Sequence, residues 1–288
     1  HSSFRKKLDK DFDARNDKYS TAATDNLVEI LIDSNLNKSN LNLERLHGWN
    51  NCLFEHTQYS KLNKIDIAKF RIHSDMEVVS GAIGHEKVHY KAIPVEKIYE
   101  DIENFLKYCN ESSENIYIKA AIVHIWFVII HPYDDGNGRI ARAITDYILS
   151  KNSSNTEFKL YSISTAINKD RKAYYDILDK TTNLFLNKEF DLTPWLIWHL
   201  NILNNAMKQS LINIEYFIQK TKFWDKHRSK ALNERQLKVL NKILNVGDEN
   251  FEGGLNTKKY ISLTKVSKAT AVRDITALVE FGCIKQID

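Results

Sequence analysis

One stretch constrains this chain more than any other. Residues 118–130 read Ile-Lys-Ala-Ala-Ile-Val-His-Ile-Trp-Phe-Val-Ile-Ile, an apolar run interrupted only by Lys119 and His124. A helix of this length falls short of the hydrocarbon core of a bilayer, about 30 Å thick. The run is therefore read as a buried helix, placed over residues 117–130. The chain of 288 residues is long enough to bury a real core and to hold a large domain plus a small one. Its composition is 43% hydrophobic and 27% charged with only 3 Pro, which fits an ordinary globular, helix-rich protein. No stretch is long enough to span a membrane and no secretory signal opens the chain, so a cytoplasmic location is expected. Cys52, Cys109 and Cys283 form no CxxC pair, which argues against a zinc site or a disulfide framework. A net charge of +4 does not by itself indicate nucleic acid.

Helical spacing organises most of the rest. Leu27, Ile30 and Leu31 mark a first helix, residues 33–42 read as an Asn- and Ser-rich loop, and Leu43, Leu46, Trp49, Asn50 and Leu53 mark a second helix. Residues 69–94 change character: strand-like runs around Val78-Val79 and Val88-His89-Tyr90 flank Gly81 and Gly84, the pattern of a hairpin or strand-rich arm. Residues 152–156 read as a surface loop, and helices resume over 171–185 and 194–218, the latter opened by Asp191-Leu192-Thr193-Pro194. The basic, weakly apolar stretch 222–230 is read as a domain boundary. The expected organisation is an N-terminal helical region at 1–60, a central domain at 61–225 and a C-terminal domain at 226–288.

After the buried run comes His131-Pro132-Tyr133-Asp134-Asp135-Gly136-Asn137-Gly138-Arg139-Ile140-Ala141-Arg142. Pro132, Gly136 and Gly138 prevent a continuous helix, and helical spacing resumes at Arg139. Main-chain amides close to a helix N-terminus bind anions, because unpaired N–H groups and the helix dipole both favour negative charge. Glycines let the backbone approach phosphate oxygens. Arg139 and Arg142 share a helix face and suit forked contacts to phosphate. Asp135 is a hard oxygen ligand where Mg²⁺ would accompany that phosphate, and His131 can take a proton near neutral pH. No Gly-Lys-Ser/Thr follows, so this is not a Walker loop.

The stretch resembles the Fic family motif: His-Pro-Phe, one residue, Asp or Glu, Gly-Asn-Gly-Arg, two residues, Arg. Tyr133 in place of Phe is the one departure. The resemblance covers roughly residues 20–200 and implies a mainly α fold, a Fic-type helical bundle with a β-hairpin flap. It implies a protein adenylyltransferase that moves AMP from ATP to a Ser, Thr or Tyr hydroxyl of a target protein. His131 would be the general base and Asp135 would hold Mg²⁺. Gly136, Asn137 and Gly138 would line the anion hole, with Arg139 and Arg142 on the β- and γ-phosphates. The arm at 71–90, with Val79 and Ser80, is similar to the flap that aligns the target by strand addition. Arg171, Tyr174, Tyr175, Leu178 and Thr182 resemble the helix bordering adenine and ribose, although their spacing equally fits core packing. Many Fic enzymes also carry an inhibitory Ser/Thr-x-x-x-Glu-Gly/Asn helix. No such stretch occurs here: either it lies upstream of His1, the expectation that a start without Met motivates, or the protein is controlled otherwise.

Residues 231–288 read helix, loop, helix, turn, helix, short strand, with Ser267 as an N-cap and Gly282 as a stop. This resembles a small winged helix-turn-helix domain, with a wing strand at 283–287. Lys268, Thr270, Arg273 and Thr276 lie off the apolar stripe and could face DNA. Residues 230–288 hold 10 Lys and Arg against 7 Asp and Glu, so a protein-docking or dimerising role stands beside DNA binding and a homo-oligomer stays open. Two rival functions remain at this point: another Fic chemistry (transfer of UMP or another phosphate-linked group, or removal of AMP), and a DNA-binding regulator with a Fic sensor domain.

Overall fold

The structure, a computed structural model, describes residues 22–55, 65–73, 76–80, 87–151, 161–183, 187–246 and 254–286. It is mostly helical. Contacts divide the chain into two units, residues 1–210 and 211–288.

The first unit is built around α4, described below, and its order is α1 (Ala22–Leu36), α2 (Leu43–Phe54), β1 (Glu77–Ser80), β2 (Lys87–Lys91), a 3₁₀ turn at Val95–Lys97, α3 (Ile98–Glu111), α4 (Ile116–Ile130), α5 (Asn137–Ser150), α6 (Ile163–Lys169), α7 (Arg171–Thr182) and α8 (Thr193–His227), the last running on into the second unit. Asn115 caps α4 by accepting from the Tyr117 amide. Ala120, Ala121, Val123 and Phe127 are fully buried, as the apolar run requires. Each large side chain of this kind stabilises the fold by about 2 kcal/mol. Helices α3 and α5 pack on α4, and α1 packs on α5. Ile30, Leu46, Trp49, Ile102, Phe105, Ile144 and Trp195 close one continuous core around it, so the helices ahead of residue 60 share the core of those that follow. Trp195 reaches in from α8 and donates its Nε1–H to the Ala121 carbonyl at 2.9 Å.

The loop expected at 33–42 begins later than the composition implies, because α1 continues to Leu36. Ser34 and Asn35 are buried there, and both side chains donate to the Leu31 carbonyl, so polar residues serve the end of a helix. Strands β1 and β2 pair antiparallel, with Val79 opposite Val88 and Ser80 opposite Lys87. Gly81 and Gly84, like the loop expected at 152–156, lie outside the described residues. Helix α7 packs against β2.

The second unit holds the end of α8, then α9 (Glu234–Val246), α10 (Thr257–Thr264) and α11 (Lys268–Glu280). Ser267 caps α11 through the Thr270 amide, and Gly282 takes φ 70° after it. The wing strand expected at 283–287 is absent among the described residues. The Cys283 and Ile284 amides turn back onto the Leu278 carbonyl, so they close the helix end rather than pair with a strand. Lys268, Arg273 and Thr276 are exposed on α11, while Thr270 is half-buried and bonded to Ser267.

A buried carboxylate joins α9, α10 and α11. Asp274 accepts from Arg235 Nε at 2.9 Å, Tyr260 Oη at 3.0 Å and Asn233 Nδ2 at 3.2 Å. Burial alone would raise its pKa, but these donors outweigh burial and hold it below the ordinary Asp value. A depressed folded-state pKa means the contribution is present above the unfolded value, near 4, and is lost as pH falls below it. Asp274→Ala should lower the unit's stability by about 2 kcal/mol, the loss of hydrogen bonds to a charged group, read as a shift in urea unfolding followed through Trp224 fluorescence, with the difference shrinking below about pH 4.

Candidate active site

The site forms where α4 ends and α5 begins. His131 is the C-cap of α4 and adopts the left-handed conformation, φ 48° and ψ 58°. Its amide donates to the Phe127 carbonyl at 3.0 Å. Its half-buried ring bonds the Val128 carbonyl through Nδ1 at 3.2 Å. A carbonyl can only accept, so Nδ1 carries the proton and Nε2 keeps its lone pair. Burial pushes the His131 pKa down to about 4; the Val128 bond opposes this, the Arg71 cation adds to it and Asp135 opposes it. The ring is therefore neutral at physiological pH and has one basic nitrogen.

Gly136 is the N-cap of α5, at φ 87°, and its carbonyl accepts the first helical bond from the Ile140 amide. The amides of Asn137, Gly138 and Arg139 thus have no helical acceptor. Glycine is required at 136 on two counts. The left-handed backbone disfavours a side chain, and a Cβ would stand 2.9 Å from Phe54 Cε2 and 3.0 Å from Leu53 Cδ1. Arg142 folds back over Gly138, with Nη1 3.5 Å from where a Cβ would sit. Arg139 is exposed, lies over the Phe54 ring at 4.8 Å and pairs with Asp135 at 3.5 Å. The Asp135 carboxylate also accepts from the Gly136 amide. His131, Asp135, the three amides, Arg139 and Arg142 are thus brought together by one turn of chain between two helices.

Other residues of the stretch face inward. The Asn137 side chain is buried and clamps the Tyr133 backbone, accepting from its amide at 3.0 Å and donating to its carbonyl at 2.7 Å. What Asn137 could offer an anion is its main-chain N–H. Tyr133 is fully buried, and its hydroxyl bonds His47 Nδ1 at 3.0 Å. Asp134 accepts from the Asp66 amide at 3.0 Å. Asn50 holds the loop from α2, donating to the Asp135 carbonyl at 3.2 Å and accepting from Ala68 at 2.9 Å.

Tyr174 of α7 is buried, and its hydroxyl reaches His124 Nε2 at 3.1 Å. Thr145 donates to the Ala141 carbonyl, so its oxygen accepts from His124 Nδ1 at 3.0 Å, which fixes the tautomer of that ring. Burial first, then the neighbouring His199 and Arg142, keep His124 neutral. Tyr174 is therefore a packing and hydrogen-bonding residue, whereas Tyr175 is half-buried beside it. Val79 and Ser80 lie in β1. Sequence reasoning missed His47 and Arg71, and read Asn50 only as part of a helix face.

Residues 40–149 match the Fic/DOC family. The chain carries a Fic/DOC domain. Over 58 residues it is 38% identical to a "Probable protein adenylyltransferase" of Aquifex aeolicus (strain VF5), a match covering 20% of this chain and 18% of that protein. Among solved structures it is similar to a Fic family protein from Desulfovibrio desulfuricans G20, with a TM-score of 0.50 at 16% identity, over 88% of this chain and 66% of that one. A Fic domain containing signaling protein from Bacteroides thetaiotaomicron VPI-5482 gives a TM-score of 0.49 at 19% identity, over 66% and 68%. No helix among the described residues is long and apolar enough to cross a membrane.

Gly136→Ala should destabilise the Fic/DOC domain by about 3 kcal/mol, combining left-handed strain with the clash on Phe54, measured by thermal unfolding. Tyr133→Phe should cost only about 1 kcal/mol, the loss of one hydrogen bond, with the fold retained by circular dichroism.

Proposed function

We propose that this chain is a protein adenylyltransferase that moves AMP from ATP to a hydroxyl of another protein. The observation that carries it is the pairing of a neutral His131, its Nε2 lone pair free of the Val128 bond, with the open amides of Asn137, Gly138 and Arg139. The hydroxyl of a target Ser, Thr or Tyr gives its proton to Nε2. Its oxygen bonds to the α-phosphorus, the bond from that phosphorus to the bridging oxygen breaks, and pyrophosphate leaves. The α5 amides and dipole hold phosphate oxygens, with Arg139 and Arg142 on the outer phosphates. Catalysis of this kind is positioning and charge stabilisation.

The residues present fit Mg²⁺. Asp135 is a single half-buried carboxylate beside the phosphate cradle, and Mg²⁺ is commonly held by one or two carboxylates together with substrate phosphates. Bound there, it would neutralise charge on the polyphosphate. Strands β1 and β2, with Val79 and Ser80, serve in this proposal as the flap that aligns the target, and Tyr175 borders the nucleoside.

His131→Ala should abolish transfer of label from α-labelled ATP to protein, by at least about 100-fold, on gel autoradiography; retained transfer would overturn the assignment. Running the same assay with α-labelled UTP separates AMP from UMP transfer. The base works only when neutral, so activity falls as pH drops through its pKa. The acid limb of kcat/KM for ATP, which reports the free enzyme, should therefore lie near 4, well below an ordinary histidine.

A further inference from the structure

We propose that Arg71 is a positioning residue for His131, joining the catalytic histidine to the foot of the β1–β2 pair; this rests on the role given to His131 above. Arg71 is 1% exposed. Its guanidinium donates to three main-chain carbonyls from separate segments: Nε to His131 at 2.8 Å, Nη1 to His73 at 2.7 Å and Nη2 to Ile93 at 2.5 Å. Its own amide donates to the Pro132 carbonyl at 2.9 Å. His73 lies ahead of β1 and Ile93 follows β2. One planar fork therefore fixes the chain where it enters and where it leaves the strand pair, together with the carbonyl of the histidine that would act as base.

The geometry of His131 needs such a clamp. A non-glycine residue in the left-handed region is held only when its surroundings over-determine it. Two successive carbonyls, those of His131 and Pro132, are both taken by Arg71, which fixes the peptide planes on the C-terminal side of that residue. The Val128 bond to Nδ1 then fixes the ring. Lysine carries charge but not the fork, so it cannot reach three carbonyls in one plane. Arg71 touches no expected substrate atom; it acts through His131 and through the placement of the strands.

The test uses the full chain with ¹⁵N-labelled histidine and arginine. In the wild type, Arg71 Nε–H should exchange slowly with solvent, and His131 should show a single neutral tautomer protonated at Nδ1. Arg71→Lys and Arg71→Gln should keep their helix content and bind a non-hydrolysable ATP analogue within about threefold. Their transfer kcat should fall by about 100-fold, the scale of a misplaced catalytic group, and the His131 ring should show mixed tautomers. A folded variant with unchanged kcat and an unchanged imidazole spectrum overturns the proposal. So does a loss of activity matched by an equal loss of nucleotide binding with the tautomer intact. If neither variant folds, wild-type exchange decides: a slow Nε–H with one tautomer supports the clamp, and exchange as fast as that of an exposed arginine overturns it. If the wild type transfers no AMP, the adenylyltransferase assignment fails, while the exchange and tautomer measurements still judge Arg71.

Discussion

An apolar helix that ends inside a protein leaves carbonyls that water cannot reach, and most of this site follows from how those carbonyls are satisfied. Ile130 is 1% exposed at the last position of α4. The Phe127 carbonyl takes the amide of His131, and the Val128 carbonyl takes its ring. Beyond the helix, the carbonyls of His131 and Pro132 take the guanidinium and amide of Arg71. A buried unpaired carbonyl is costly. The groups that relieve that cost are the ones that set the tautomer and backbone of the candidate base.

The opposite problem exists a few residues later, where α5 starts with amides lacking acceptors. The end of α4 favours positive charge and the start of α5 favours negative charge. In the proposed function a proton acceptor stands at the first and a phosphate cradle at the second, so proton and polyphosphate would be drawn to adjacent but distinct places. Burial counters the pull of the α4 terminus on His131 and dominates, keeping the ring neutral. A bound polyanion would shift that balance back toward protonation.

The features legible in the sequence were those whose side chains carry the chemistry or the burial. The run at 118–130 fixed α4 to within one residue, and Ser267 and Gly282 fixed the ends of α11, because burial and capping depend on local pattern. Arg71 was not legible. Its partners are main-chain carbonyls at 73, 93 and 131, and a carbonyl is the same in every residue. Asn50 escaped for the same reason, and Asn137 was legible as a motif residue but not as one whose side chain turns inward. The wing strand was expected from the order of elements that resembles a winged helix-turn-helix, and main-chain amides that close a helix end leave no mark in that order.

The stretch from His131 to Arg142 therefore divides its polar groups between two directions. Asn137, Tyr133 and Asp134 turn their side chains inward, bonding the Tyr133 backbone, His47 and the Asp66 amide. Asp135, Arg139 and Arg142 are half-buried or exposed. A loop cradle for phosphate loses much of its effect if its amides must reorganise as charge develops. The inward set provides the rigidity that glycines at 136 and 138 would otherwise remove. This explains why a buried tyrosine hydroxyl is tolerated at 133: paired with His47, it adds a tie from the loop to α2.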